Sequence, residues 1–91
     1  MALQYAKPDR AAALQAVIRD LAKSSREEPG CVEYSVYTDK DQPNIFVFQE
    51  TWATQGDLDR HVRSAAFQAF WSCRMDYLEC DVAIHFLTEF V

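Results

Sequence analysis

The chain has no surplus of positive charge. Nine Lys and Arg stand against 14 Asp and Glu, a net charge of −5, and the acidic side chains are scattered from Asp9 to Asp81 rather than segregated. No basic stripe is available to track a phosphate backbone, which argues against nucleic acid and anionic membrane surfaces as partners. Long apolar runs are missing too. None approaches the ~20 residues needed to cross a bilayer, and the N-terminus does not combine a basic segment with a long apolar core and a cleavage site. Cysteine is sparse: Cys31, Cys73 and Cys80 form an odd set without C-x-x-C spacing. A reduced, soluble, cytoplasmic protein is expected, with the thiols acting as small apolar side chains. His61 and His85, widely separated from those cysteines, match no metal-ligand spacing, and no metal is expected.

What the chain does have is apolar and aromatic bulk. With 91 residues, 49% of them apolar and 13% aromatic, it fits one compact domain over residues 1–91 with a small core. Met1 to Ala6 has the pattern of a short strand ended by Lys7-Pro8. Asp9 is a candidate N-cap for a first helix, in which Ala11, Leu14, Val17, Ile18, Leu21 and Ala22 recur at three- and four-residue spacing. After Pro29-Gly30, alternation over Cys31 to Thr38 predicts a strand with Val32, Tyr34 and Val36 on one side and Cys31, Glu33, Ser35 and Tyr37 on the other. Asp39 to Asn44 is a turn. Ile45 to Phe48 is bulky on both faces before Gln49 to Trp52 continues the strand, as a centrally placed strand would be.

Thr54, three residues before Asp57, resembles a capping box and opens a helix with Leu58, His61 and Val62 on one face. Ser64 looks like a second cap. It launches a helix whose inward positions are Phe67, Phe70, Trp71, Arg74, Met75 and Leu78. Val82 to Phe90 is expected to close the chain as a strand. The order β, α, β, β, broken α, β is the split βαβ repeat of an α+β, ferredoxin-like fold: a four-stranded antiparallel sheet with two helices, the second broken, on one face. Two helices leave the other face bare, so that face is expected to meet its copy in a homodimer.

The segments E-P-G-C from Glu28, F-V-F-Q-E-T-W from Phe46 and L-D-R-H-V-R-S-A-A-F-Q-A-F from Leu58 resemble, as a set, the antibiotic biosynthesis monooxygenase domain. The similarity runs from about Lys7 to the C-terminus. It implies a dimeric α+β barrel built from ferredoxin-like protomers. Members include oxygenases of quinols and polyketides that need no cofactor, haem-degrading oxygenases and an isomerase of signalling sugars, so fold alone does not select the chemistry. Haem degradation is disfavoured. Those members place an iron-ligating histidine about ten residues beyond the position matching His61, where this chain has Trp71, and an asparagine on the first strand, where it has Ala2 or Leu3. Sugar-phosphate isomerisation would need several converging cations, and Arg63 with Arg74 make a thin set. The chain also has about five fewer residues before Lys7-Pro8 than is common in the family, so the edge of a pocket formed by the first strand would be more open.

The cofactor-free members oxidise electron-rich phenols, whose deprotonated form can itself reduce dioxygen. The protein must then supply an apolar slot, a proton acceptor and exclusion of water. His61 is the candidate acceptor, because imidazole takes and returns a proton near neutral pH. Trp52, Phe67, Phe70 and Trp71 are candidates for the slot. Tyr34 and Glu50 could orient a hydroxyl, and Arg74 could hold an anionic oxygen. Structural readings stand beside each of these: His61 as a core-boundary histidine, the aromatics as ordinary core, Glu50 paired with Arg60 or Arg63, His85 as a packed or interface residue. Tyr34 and Tyr37 lie on opposite faces of one strand, and Tyr34 is preferred for the pocket. The resemblance thus implies a monooxygenase of quinols or polycyclic phenols without a cofactor, the alternative being a dimeric, non-catalytic small-ligand or stress-response module.

Overall fold

A computed structural model describes residues 1–91. Four strands, β1 (Ala2–Tyr5), β2 (Cys31–Thr38), β3 (Ile45–Trp52) and β4 (Ala83–Ile84), form one antiparallel sheet in the order β2-β3-β1-β4. Three helices accompany it: α1 (Ala11–Arg26), α2 (Gln55–Arg63) and α3 (Ala65–Cys73). This is the expected ferredoxin-like arrangement. The central pair β1 and β3 are registered Ala2 to Phe48 and Gln4 to Phe46, which places Gln4, Phe46 and Phe48 on the helix-facing side of the sheet. Leu3, Tyr5, Ile45 and Val47 face the opposite way, where no helix lies.

The stripe read from α1 is the buried one. Leu14, Ile18, Leu21 and Ala22 pack with Ala6, Tyr34, Phe46, Phe48, Phe70 and Leu78 in a single core cluster. The break between α2 and α3 has the expected cause. Ser64 leaves the helical region, at φ −63° and ψ 151°, and its side chain accepts from Phe67 N, while Thr54 caps α2 by accepting from Asp57 N. The β2–β3 turn is held by Asp39, whose Oδ1 accepts from the backbone N of Asp41 and of Gln42, both at 2.9 Å.

Several expectations need correction. Asp9 caps nothing: Pro8–Arg10 forms a 3-10 turn, and α1 starts behind Arg10 without a side-chain cap. Simple alternation in β2 fails at its start, because a register shift between Cys31 and Glu33 turns Cys31 to the core side, opposite Trp52, and leaves Val32 67% exposed. The helix after Ser64 ends at Cys73 and passes into a 3-10 turn, Arg74–Asp76, so Met75 is exposed. Leu78 is still buried, through a bridge to Ala6. The closing strand is only Ala83–Ile84, with Phe86, Leu87 and Phe90 exposed beyond it. Cys80 is exposed rather than buried, and all three thiols are free.

Candidate active site

Beneath α2 and α3 the helix-facing side of the sheet does not close. A cavity of about 620 Å³ lies there, within the range usual for small-molecule sites. His61, Tyr34, Glu50, Trp52, Phe67, Phe70 and Trp71 all line it, so seven of the eight residues proposed from sequence are brought together. Arg74 stands apart. Its Nε and Nη2 donate to Asp81 at 2.8 and 3.1 Å, its Nη1 donates to the Trp71 carbonyl at 2.7 Å, and the guanidinium lies 3.9 Å from the Trp71 ring centre. Hydrogen bonds from Arg74 hold the Asp81 carboxyl below its ordinary range. Arg74 therefore braces Trp71 from outside, and its donors are already engaged.

His61 is the most enclosed polar side chain of the cavity wall, at 2% exposure. It sits on the last turn of α2, with three aromatic rings and two carboxylates around its ring. Trp52 stacks on it with ring centres 4.6 Å apart, and Tyr34 and Phe67 meet it edge-on at 5.8 and 5.2 Å. Its Nδ1 lies 2.9 Å from Glu28 Oε2, and its Nε2 lies 3.8 Å from Glu50 Oε1. Contact with the carboxylate calls for hydrogen on Nδ1, which leaves the Nε2 lone pair on the Glu50 side in the neutral ring. Glu50 does not pair with Arg60 or Arg63. It accepts from Trp52 Nε1 at 3.1 Å, and Arg60 is taken by Asp57 at 3.2 Å.

Glu28 is the neighbour of His61 that sequence reasoning missed, although it opens the E-P-G-C segment. The signal was in the glycine. Gly30 has φ +82°, and a Cβ there would overlap the Asp57 carboxyl group at the start of α2. The turn can press against α2 only because residue 30 lacks a side chain, and its carbonyl accepts from Ala53 N at 2.8 Å. That close approach carries Glu28 to His61, 33 residues away in sequence.

The neighbouring groups feel the enclosure. Burial raises the Tyr34 phenol above its ordinary value and the Glu50 carboxylate raises it further, with the Ser25 hydroxyl acting in the opposite direction. Burial likewise raises the Cys31 thiol, with Glu28 and Glu50 adding to the effect, so Cys31 stays a protonated, poorly nucleophilic neighbour. No three His, Cys, Asp or Glu side chains converge in a group able to hold a metal ion.

Fold and cavity together define the class: a ferredoxin-like α+β domain whose helices α2 and α3 roof an aromatic hollow with a histidine in its wall. The sequence model of the antibiotic biosynthesis monooxygenase family matches residues 1–71, and the chain belongs to that family. It is similar to PA3566 from Pseudomonas aeruginosa, with 28% identity, 96% of this chain and 90% of that one covered and a TM-score of 0.82. It is similar also to Rv0793 from Mycobacterium tuberculosis, with 26% identity, 99% and 94% covered and a TM-score of 0.84. Among curated sequences it matches the uncharacterized protein sll1783 from Synechocystis, 38% identical over 64 residues, which are 70% of this chain. The match spans 44% of that relative's length. No helix is long and apolar enough to cross a membrane.

Proposed function

We propose that the protein is a monooxygenase that oxidises a quinol or polycyclic phenol with dioxygen and without a cofactor. The observation that carries this reading is His61, set in the wall of an aromatic cavity between the carboxylates of Glu28 and Glu50. Glu28 orients the imidazole. Nε2 takes the phenolic proton, and two carboxylates offer counter-charges to the imidazolium so formed. The phenolate is then the reductant of dioxygen. When a phenol becomes a quinone, one oxygen atom bonds to a ring carbon, and the second leaves as water with the phenolic proton and the displaced ring hydrogen. Trp52, Phe67, Phe70 and Trp71 hold the rings, and Tyr34, kept neutral, remains a hydrogen-bond donor.

The reading includes a homodimer. Leu3, Tyr37, Ile45, Val47 and Ala83 share the sheet face without helices, and Tyr37 is 54% exposed on the single protomer. Pairing this face with its copy would give the dimeric α+β barrel, and a monomer at low micromolar concentration in analytical ultracentrifugation would remove it. Three free thiols accord with a reduced, cytoplasmic setting.

Oxygen uptake with 1,4-dihydroxynaphthalene, corrected for autoxidation, is the test. His61→Ala should lower the rate by about 10²-fold or more; an unchanged rate discards the role given to His61. One feature favours a second reading, a binding module without catalysis: His61 is almost fully enclosed and held through Nδ1, as a purely structural histidine would be. Naphthols that raise the melting temperature while no tested phenol consumes oxygen would select that reading.

A further inference from the structure

His61 is the basic group of the cavity wall, yet little of it is open to a ligand. Its side chain is 2% exposed, with the rings of Trp52, Tyr34 and Phe67 packed around it. Nδ1 is engaged by Glu28 at 2.9 Å, and the nearest group to Nε2 on its other side is the Glu50 carboxylate, 3.8 Å away. Direct proton transfer needs a donor within about 2.6–3.2 Å of the accepting atom. An imidazole this enclosed offers a ligand oxygen scant room at that range.

Glu50 has the access that His61 lacks. It follows Phe46 and Phe48 at two-residue spacing on β3, opposite Tyr34 on β2, so its side chain stands on the helix-facing side of the sheet. There it lines the cavity with 22% of its side chain exposed. Trp52 Nε1 donates to Oε1 at 3.1 Å and fixes the carboxylate beside Nε2. Oε2 accepts no hydrogen bond from the chain, and Glu50 forms no ion pair with Lys or Arg. The carboxylate therefore keeps an acceptor for a ligand hydroxyl.

We infer that Glu50 is a second catalytic residue, the first acceptor of the phenolic proton, and that His61 is the base to which this proton passes. The O–H bond of the phenol breaks as one forms at the Glu50 carboxylate, and the electron pair stays on the phenolate oxygen. The proton then leaves Glu50 for the Nε2 lone pair, and Glu50 is a carboxylate again. Carboxylates hold protons less firmly than imidazoles do, so the second transfer runs downhill. The inference rests on the oxidation reading of the cavity and changes which atom the substrate meets.

The test is oxygen uptake with 1,4-dihydroxynaphthalene, corrected for autoxidation, by the full chain in wild type, Glu50→Gln, Glu50→Ala and His61→Ala. Glu50→Gln keeps an oxygen for Trp52 Nε1 but cannot carry the proton, so kcat should fall about 10²-fold while KM and the melting temperature stay near wild type. In Glu50→Ala, added formate should restore kcat in proportion to its concentration and should not restore His61→Ala, a readout that a structural role does not move. Glu50→Gln that keeps kcat within about tenfold of wild type, while His61→Ala loses activity, means that Nε2 meets the substrate directly. That result overturns the inference and leaves the oxidation reading standing. A fall in both Glu50 variants that formate does not restore assigns Glu50 to the structure and overturns the inference as well. Wild type that consumes no oxygen overturns the inference together with the oxidation reading.

Discussion

The two ends of the helical layer treat the same sheet in opposite ways. Under α1 the sheet is filled: four apolar side chains, Leu14, Ile18, Leu21 and Ala22, descend onto it at 0–6% exposure. Under α2 and α3 it is roofed but not filled, each helix contributing one buried residue, His61 and Phe70. Three-residue and four-residue spacing over sixteen residues gives α1 a continuous apolar stripe. The nine-residue helices α2 and α3, kinked apart at Ser64, cannot run such a stripe along the sheet, and their aromatic rings stand around a gap instead. Stability is concentrated at one end and space for a ligand at the other.

Truncation at each end sharpens this contrast. Leu14 is fully buried, so Leu14→Ala should cost about 2–5 kcal/mol in urea denaturation, by lost transfer energy plus a new void. Phe67 is half-buried against space that is already open, and Phe67→Ala should cost roughly 1–2 kcal/mol while changing ligand affinity. Equal costs at the two sites would mean that the hollow end is packed as tightly as the filled one.

The hollow end depends on a single backbone approach. Gly30→Ala places a methyl group into Asp57 at a left-handed φ, so a loss of roughly 2–4 kcal/mol is expected. The variant should also draw Glu28 away from His61, and the proposed oxidation should suffer more than in Leu14→Ala. A denaturation midpoint equal to wild type would separate the turn from the site.

Much of this was readable from residue order alone. The α1 stripe and the caps at Thr54 and Ser64 follow from period and from local hydrogen-bond chemistry, which short sequence windows contain, whereas the grouping of His61 with Trp52, Phe67, Phe70 and Trp71 around a slot came with the family resemblance. Features set by approach between distant segments were not. Glu28 meets His61 only because Gly30 nests against Asp57, and the shift after Cys31 reverses the strand pattern at Val32. Arg74 looked free in sequence because nothing local announces its contact with Asp81, seven residues on.

Tyr34 belongs to both ends, packed in the core cluster and lining the cavity, and its titration probes the boundary between them. Burial first, and then the Glu50 carboxylate, hold its folded-state pKa above the ordinary phenol value near 10. The unfolded chain therefore releases this proton before the folded one does. The stabilising contribution is complete below about pH 10 and declines as pH climbs from there toward the folded-state value. Tyr34→Phe removes the titrating group, so urea denaturation between about pH 9 and pH 11 should show a shallower alkaline loss of stability than in wild type. Parallel pH profiles would mean that the Tyr34 ring is reached by water through the cavity, and that the wall between the filled and hollow ends is thinner than the packing around His61 indicates.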